Sequence, residues 1–413
     1  MRLSVPGRMS ESRTSMIGAL LITIGPMSMS LYTPAMPVLV DAFDTSPAAI
    51  KLTLSLYFAG FALTQLVCGP VSDALGRRRS AILFLSIYFL GSVMSALAPT
   101  VGMLLVGRLV QGIGASIGLT TSRAIVRDQF TGAQSSRIMN MINIMLAIGP
   151  AMAPTIGGVL LEISGWQAIF YVMVGFGLTA VGVVYFLMQE TAVPDLTRLK
   201  PGPLMRTYRR IFTDIQFISA ALTLSFAVGA LYTLATILPF VLVKDVGLTE
   251  FQFGIGMLMQ TGMYFFGSVL FRQLLRKWSA EQLVIPGLLF VFAGGLAAFL
   301  SARFLPPSYL SIMMPVGLYA FGISFVMPHM TTAALVPFHQ TAGSASAVMG
   351  FLQMGTGFAC GLVAAIIGLP LLAFMTVIPA MSLICLASYL VYTRFVRRGV
   401  TLTPQRDANL PAE

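Results

Sequence analysis

Arg108 and Gln111 stand three residues apart inside residues 102–125, a stretch whose one other charge is Arg123. A guanidinium placed centrally in a lipid-surrounded helix costs about 2.5–3.5 kcal/mol on insertion scales, so it must face protein or a water-filled cavity. The three-residue interval puts the Gln111 amide on the same helical face, where it extends a polar patch fit to hold a ligand. The plainer alternative is an interhelical hydrogen bond that only joins helices. His329 follows Pro328 in a second apolar stretch, and an imidazole with a reference pKa near 6.5 is able to carry a proton. Here the alternative is a hydrogen-bonding histidine with no proton traffic. The acids sort to two edges. Asp41, Asp44, Glu162, Asp245 and Glu250 fall at one, and Glu11, Asp73, Asp128, Glu190, Asp195, Asp214, Glu281, Asp407 and Glu413 at the other, so none of the 14 is left for the middle. No nucleophile–base constellation is visible, which argues against an enzyme. His329 and His339 are too far apart in sequence for a two-His metal face, and Cys68, Cys360 and Cys385 lie in apolar runs at no metal-like spacing. Neither metal nor cofactor is expected.

The elements that must position these residues are membrane helices. Charged residues make up 9% of the chain and hydrophobic ones 57%, against the 45–50% apolar share usual in a soluble domain. A helix needs roughly 20 apolar residues to cross a bilayer. Spans are expected near 16–40, 48–70, 80–98, 102–125, 135–161, 167–188, 215–242, 251–271, 282–302, 310–334, 344–367 and 371–393. The fold class is therefore all-α and polytopic. The longest internal polar segment, Glu190 to Asp214, separates two six-span halves, as a parallel internal repeat predicts. The expected organisation is a tail over 1–15, a six-helix bundle over 16–190, a central loop over 191–213, a second bundle over 214–395 and a tail over 396–413. The net charge of +11 would suit nucleic acid, but its distribution argues otherwise. If both termini are cytoplasmic, twenty of the 25 Lys and Arg lie inside, Lys51, Lys244 and Arg303 face outward, and Arg108 and Arg123 sit within the fourth span. That is a positive-inside pattern, and it implies a lipid bilayer rather than nucleic acid as the partner. Tyr32, Tyr57, Phe61, Tyr232, Tyr264, Phe321 and Phe325 are expected to line a central cavity, although helical spacing alone would suit ordinary core.

Three motifs carry a family resemblance. Gly69-Pro-Val-Ser-Asp73-Ala-Leu-Gly76-Arg77-Arg78-Arg79 joins the second and third spans, and Arg108-x-x-Gln111-Gly112-x-Gly114 lies in the fourth. In the fifth, Gly149, Ala153 and Gly157 form a small-xxx-small stripe beside Pro150, Pro154 and Gly158. The first resembles the signature loop of the major facilitator superfamily, with Ala74 where a basic residue is usual. The second resembles its fourth-helix motif. The third is similar to the antiporter motif of its exporters, with Ala153 and Asn140 in place of customary glycines. Leu31 to Pro37, Arg123 to Asp128 and Gly343 to Ala347 look like the Bcr/CflA group of twelve-span bacterial drug:proton antiporters. The resemblance implies an inner-membrane monomer that exports amphipathic small molecules by alternating access in exchange for protons. It also implies a cytoplasmic gate of Asp73 and Arg77 with Arg78, Arg127 and Asp128 nearby. The group places an Asp two residues before Tyr32, where this chain has Ser30, so proton carriage would pass to His329 or to Asp41. A permease dedicated to one metabolite or siderophore remains the alternative on the same fold.

Overall fold

The computed structural model describes residues 9–199 and 201–397; the tails at 1–8 and 398–413 and Lys200 lie outside the described residues, as does the side chain of His339. Twelve helices among them are long and apolar enough to span a membrane. These are Glu11–Ala42, Pro47–Leu75, Arg77–Ala96, Val101–Gln129, Gly132–Ser164, Trp166–Leu187, Ile215–Asp245, Glu250–Leu274, Val284–Phe304, Tyr309–Phe338, Ala342–Ile367 and Pro370–Phe395, numbered here as spans 1 to 12. Capping residues explain why many run past their apolar stretches. Ser10, Ser46, Thr100 and Asp214 each accept from a backbone N–H in the first turn, and Thr249 with Gln252 and Ser308 with Ser311 form capping boxes. Prolines mark the irregular points. Span 1 tightens into a 3₁₀ turn over Thr33–Ala35, beside Pro34, and span 7 ends in a π turn over Val241–Asp245, just past Pro239.

Apolar packing forms two large cores, one from spans 1–6 and one from spans 7–12. Ala235 and Phe240 of span 7 and Met354 of span 11 join the first core, so the halves touch through them. Spans 2 and 11 are packed along much of their length. A methyl built on Gly361 would lie 3.0 Å from Ser55 Oγ, and one on Gly350 2.5 Å from Gln65 Oε1. Spans 5 and 8 behave differently. Thr155 Oγ1 donates to the Gly254 carbonyl at 3.0 Å, joining the end of span 5 to the start of span 8. The remainder of span 8, Leu258–Leu274, scarcely reaches span 5, and Met141, Ile144 and Ile148 on span 5 are exposed. On this flank the halves are closed at one end and part toward the end that carries Arg77, Arg78 and Arg79, termed the basic end below.

The expected bundle boundaries at 190 and 214 fall on either side of a segment with its own structure. A 3₁₀ turn over Leu196–Leu199 is followed by an amphipathic helix over Pro201–Thr213. That linker helix is tied to the first half by Tyr208, whose hydroxyl donates to the Leu66 carbonyl. Burial pushes the Tyr208 phenol up to about 12.

Candidate functional site

At the basic end the hinge between spans 2 and 3 is a single residue. Span 2 stays helical through Gly69 and Pro70 to Leu75, so the join between the spans does not begin at Gly69. The reversal occurs at Gly76, whose φ of +96° favours glycine. This turn starts span 3 with its free N–H groups facing Glu190, at the end of span 6. Glu190 Oε1 accepts from Arg77 N at 2.6 Å, and Oε2 accepts from Arg78 N at 3.2 Å. A carboxylate is well placed there, because a helix N-terminus carries unsatisfied donors and positive partial charge. The Arg77 side chain turns the other way and forms ion pairs with Asp73, one helical turn earlier, and with Asp128 Oδ2 at 2.9 Å. Thr191 Oγ1 also donates to Asp128 at 3.1 Å. Spans 2, 3, 4 and 6 are thus clamped together at this end. Arg127 is exposed rather than part of the clamp, since successive helical residues point about 100° apart and Asp128 takes the position that faces Arg77. Arg78 reaches away to the Tyr185 carbonyl at 2.6 Å.

The second site lies in mid-span. Arg108 has no exposed surface. Its guanidinium carbon is 4.4 Å from the ring centre of Tyr32 and 4.5 Å from that of Tyr57, and its Nη1 donates to Gln111 Oε1. Gln111 Nε2 passes the chain on to Ser92 Oγ at 2.7 Å. Both tyrosine hydroxyls are already engaged. Tyr57 donates to the Gly25 carbonyl at 2.8 Å, and Tyr32 shares a 2.6 Å hydrogen bond with Thr53. The guanidinium is therefore sealed between two aromatic faces, which attract it through their quadrupoles, and it does not open onto a cavity in this conformation. Ser30 is buried on span 1, and its carbonyl accepts from Thr33.

The model of the family described as Major Facilitator Superfamily matches residues 18–364. The chain belongs to that superfamily. Curated relatives include "Uncharacterized MFS-type transporter YdgK" of Bacillus subtilis, 29% identical over 350 residues, which span 82% of this chain and 85% of that protein. "Bicyclomycin resistance protein homolog" of Haemophilus influenzae is 26% identical over 83% of this chain and 86% of its own. "Multidrug resistance protein D" of Escherichia coli is 24% identical over 82% and 85%. Among solved structures, a bacterial homologue of the human lysosomal transporter Spinster, inward-facing and occupied, superposes with a TM-score of 0.71 at 17% identity, over 94% of this chain and 97% of that one. The E. coli xylose transporter XylE, partially occluded and inward open, gives 0.69 at 12% identity, over 94% and 98%. These likenesses show a shared fold. As a member of the major facilitator superfamily, the chain is a multi-pass membrane transporter of small molecules.

The remaining candidates fall in several places. Phe61 packs on Gly25 within the first half, and Tyr232 meets Phe58 across the seam between halves, with ring centres 5.5 Å apart. Tyr264 of span 8 reaches Met327 of span 10 at 3.4 Å. Phe321 and Phe325 belong to a separate aromatic cluster with Phe271 and Phe290. The period of span 10 points them at spans 8 and 9, away from the seam. His329 is half-buried, and its Nε2 has no hydrogen-bond partner among the described residues. Asp41, the other candidate proton carrier, is exposed at the end of span 1 and is not enclosed within the membrane interior. In the small-residue stripe, Gly149 faces Thr23, while Gly157 faces the Leu31 carbonyl and Pro34. Ala153 and Pro154 are buried and Pro150 is half-buried. Pro154 and Gly158 meet the other half: a methyl on Gly254 would come 2.6 Å from the Pro154 carbonyl oxygen, and one on Gly158 2.8 Å from the Glu250 carbonyl oxygen.

Two participants escaped the sequence reading. Glu190 was legible only as an edge acid; its position as the first residue of the polar segment, at the same membrane edge as Arg77–Arg79, was the available signal. Lys51 was expected to face outward. It is fully buried in the first turn of span 2, with Nζ 5.2 Å from the ring centre of Phe240 on span 7. Its apolar stem follows the apolar seam between the halves, which a sequence cannot reveal.

Proposed function

We propose that the protein exports amphipathic small molecules across the bacterial inner membrane by alternating access, with the basic end cytoplasmic and a proton moving in exchange. The observation that carries this reading is the unequal contact of spans 5 and 8, joined through Thr155, Gly158 and Gly254 at one end and separated toward the other. Rigid halves that touch in this way can rock about the seam formed by spans 2 and 11, exposing a central site to one side at a time. The clamp of Asp73, Arg77 and Asp128 lies within the first half and keeps that half rigid as the ends separate. The Arg108–Gln111 patch supplies the polar contact at mid-membrane. The basic residues clustered at one end support the orientation, and the relatives named for multidrug and bicyclomycin resistance support export. His329 on span 10 is the proposed proton carrier, since it is a partly enclosed, titratable group with a free ring nitrogen. The protein acts as a monomer, because each chain holds both halves of the site.

A drug-susceptibility panel in an efflux-deficient bacterial host, paired with uptake into inside-out vesicles, tests the reading. Protection against several unrelated amphipathic compounds, with accumulation in vesicles driven by a pH gradient, is the expected result. A host protected against nothing, with one metabolite accumulating, would instead mark the chain as a dedicated permease.

A further inference from the structure

The charges of span 4 are all positive until its last turn. Arg127 is exposed at the basic end, Arg123 is half-buried one turn further in, and Arg108 is fully buried about four turns beyond that. No carboxylate enters this series before Asp128, and Asp128 is engaged by Arg77 and Thr191. Arg108 is the unusual member. One of its donors, Nη1, is satisfied by Gln111. Nε and Nη2 are buried without a hydrogen-bond partner among the described residues. These two nitrogens share one edge of the planar guanidinium, and that edge is the fork that grips a carboxylate through two parallel hydrogen bonds. The neighbouring polar groups do not fill it. The Tyr32 and Tyr57 hydroxyls are committed to Thr53 and Gly25, Ser92 Oγ accepts from Gln111, and the tyrosine rings offer faces rather than in-plane acceptors. A buried polar group with no partner in a folded protein calls for a ligand or an ion to complete it.

We infer that the free fork of Arg108 receives an oxyanion group of the transported molecule, a carboxylate or a sulfonate, and that the substrates are amphipathic anions. The inference rests on the transport reading above and narrows its substrate class. Tyr32 and Tyr57 flank the fork with aromatic faces on which an apolar body can pack. Arg123 and Arg127 lead to it from the basic end and raise the local concentration of anions along that approach. The rings of Tyr32 and Tyr57 close the fork in this conformation, so the substrate reaches it when the halves rock and the rings move aside.

The full chain in proteoliposomes, with 1-naphthylacetate, 1-naphthylacetamide and 1-naphthylmethylamine as probes, tests this. The three share one apolar body and differ in charge. Acetate transport should exceed amine transport by at least about tenfold, because a like charge beside Arg108 is repelled while the fork grips the anion. In Arg108→Gln the ratio of acetate to amide transport should collapse toward one, and Arg108→Lys should restore it in part, since a point charge replaces the planar fork. If Arg108→Gln does not reach the membrane, the ranking of the three probes by the unsubstituted chain decides alone. Amine transport equal to or faster than acetate overturns the anion inference and leaves transport of amphipathic molecules standing. Failure of all three probes to cross overturns both.

Discussion

At the residue scale, Glu190 ties the segment that follows span 6 to the first turn of span 3. It accepts from two backbone N–H groups of span 3, so Glu190→Gln should weaken that cap by about 1 kcal/mol, while the isosteric amide preserves shape. Transport should fall modestly with membrane insertion unchanged, and trypsin should cut the linker faster than in the parent. Asp128 is the more demanding position. A charge-assisted hydrogen bond is worth about 1.5–3 kcal/mol, so Asp128→Asn should loosen the first half at the basic end by about that amount. The expected result is impaired transport at near-normal membrane level, and Asp73→Asn should follow in the same direction. Full transport by either variant would refute a role for the clamp. His329 is tested by His329→Gln, which keeps hydrogen bonding but not titration in the physiological range. In vesicles with an imposed pH gradient it should lose gradient-driven transport yet still bind substrate. A variant that pumps like the parent would mark the imidazole as structural.

At the element scale, spans 5 and 8 approach so closely at Gly158 and Gly254 that no side chain fits at either position. A methyl on Gly158 would lie 2.8 Å from the Glu250 carbonyl oxygen, and one on Gly254 would lie 2.6 Å from the Pro154 carbonyl oxygen. Backbone cannot give way cheaply, so Gly158→Ala should hold these helix ends apart and favour the conformation open on that side. Spin labels placed on the two halves near this end should report a longer mean distance than in the parent. Gly175→Ala on span 6, where nothing lies within 4 Å, is the matched control and should change neither distance nor transport. An unchanged distance in Gly158→Ala would mean that this contact does not set the conformation.

At the scale of the whole molecule, rocking requires spans 2 and 11 to separate near Ser55 and Gly361, where a methyl on the glycine lies 3.0 Å from the serine oxygen. In a background with Cys68, Cys360 and Cys385 replaced by serine, Ser55→Cys with Gly361→Cys should form a disulfide on oxidation. Transport should stop when the bridge forms and return when a reductant opens it. Undiminished transport in the oxidised state would exclude separation of the halves at this point and, with it, rocking about this seam.

The spans were legible along the chain because the bilayer imposes a length and an apolar content on every crossing helix. The same constraint singled out Arg108, since a charge in that setting is costly and rare. Other features were settled by neighbours distant in sequence. Gly69 and Gly76 look equivalent in the motif, yet only Gly76 turns, because only there does span 6 bring Glu190 to meet a new helix. Arg127 and Asp128 are adjacent, and the rotation of span 4 against span 3 selected Asp128. Lys51 reads as an outward-facing cation and is buried, because span 7 lays Phe240 over it. Phe321 and Phe325 share the composition of a cavity wall but pack toward spans 8 and 9. Hydrophobicity and helical period are properties of one segment and survive in a linear reading. The choice of which face meets which partner depends on how twelve helices pack at once, and that is decided only in the tertiary structure.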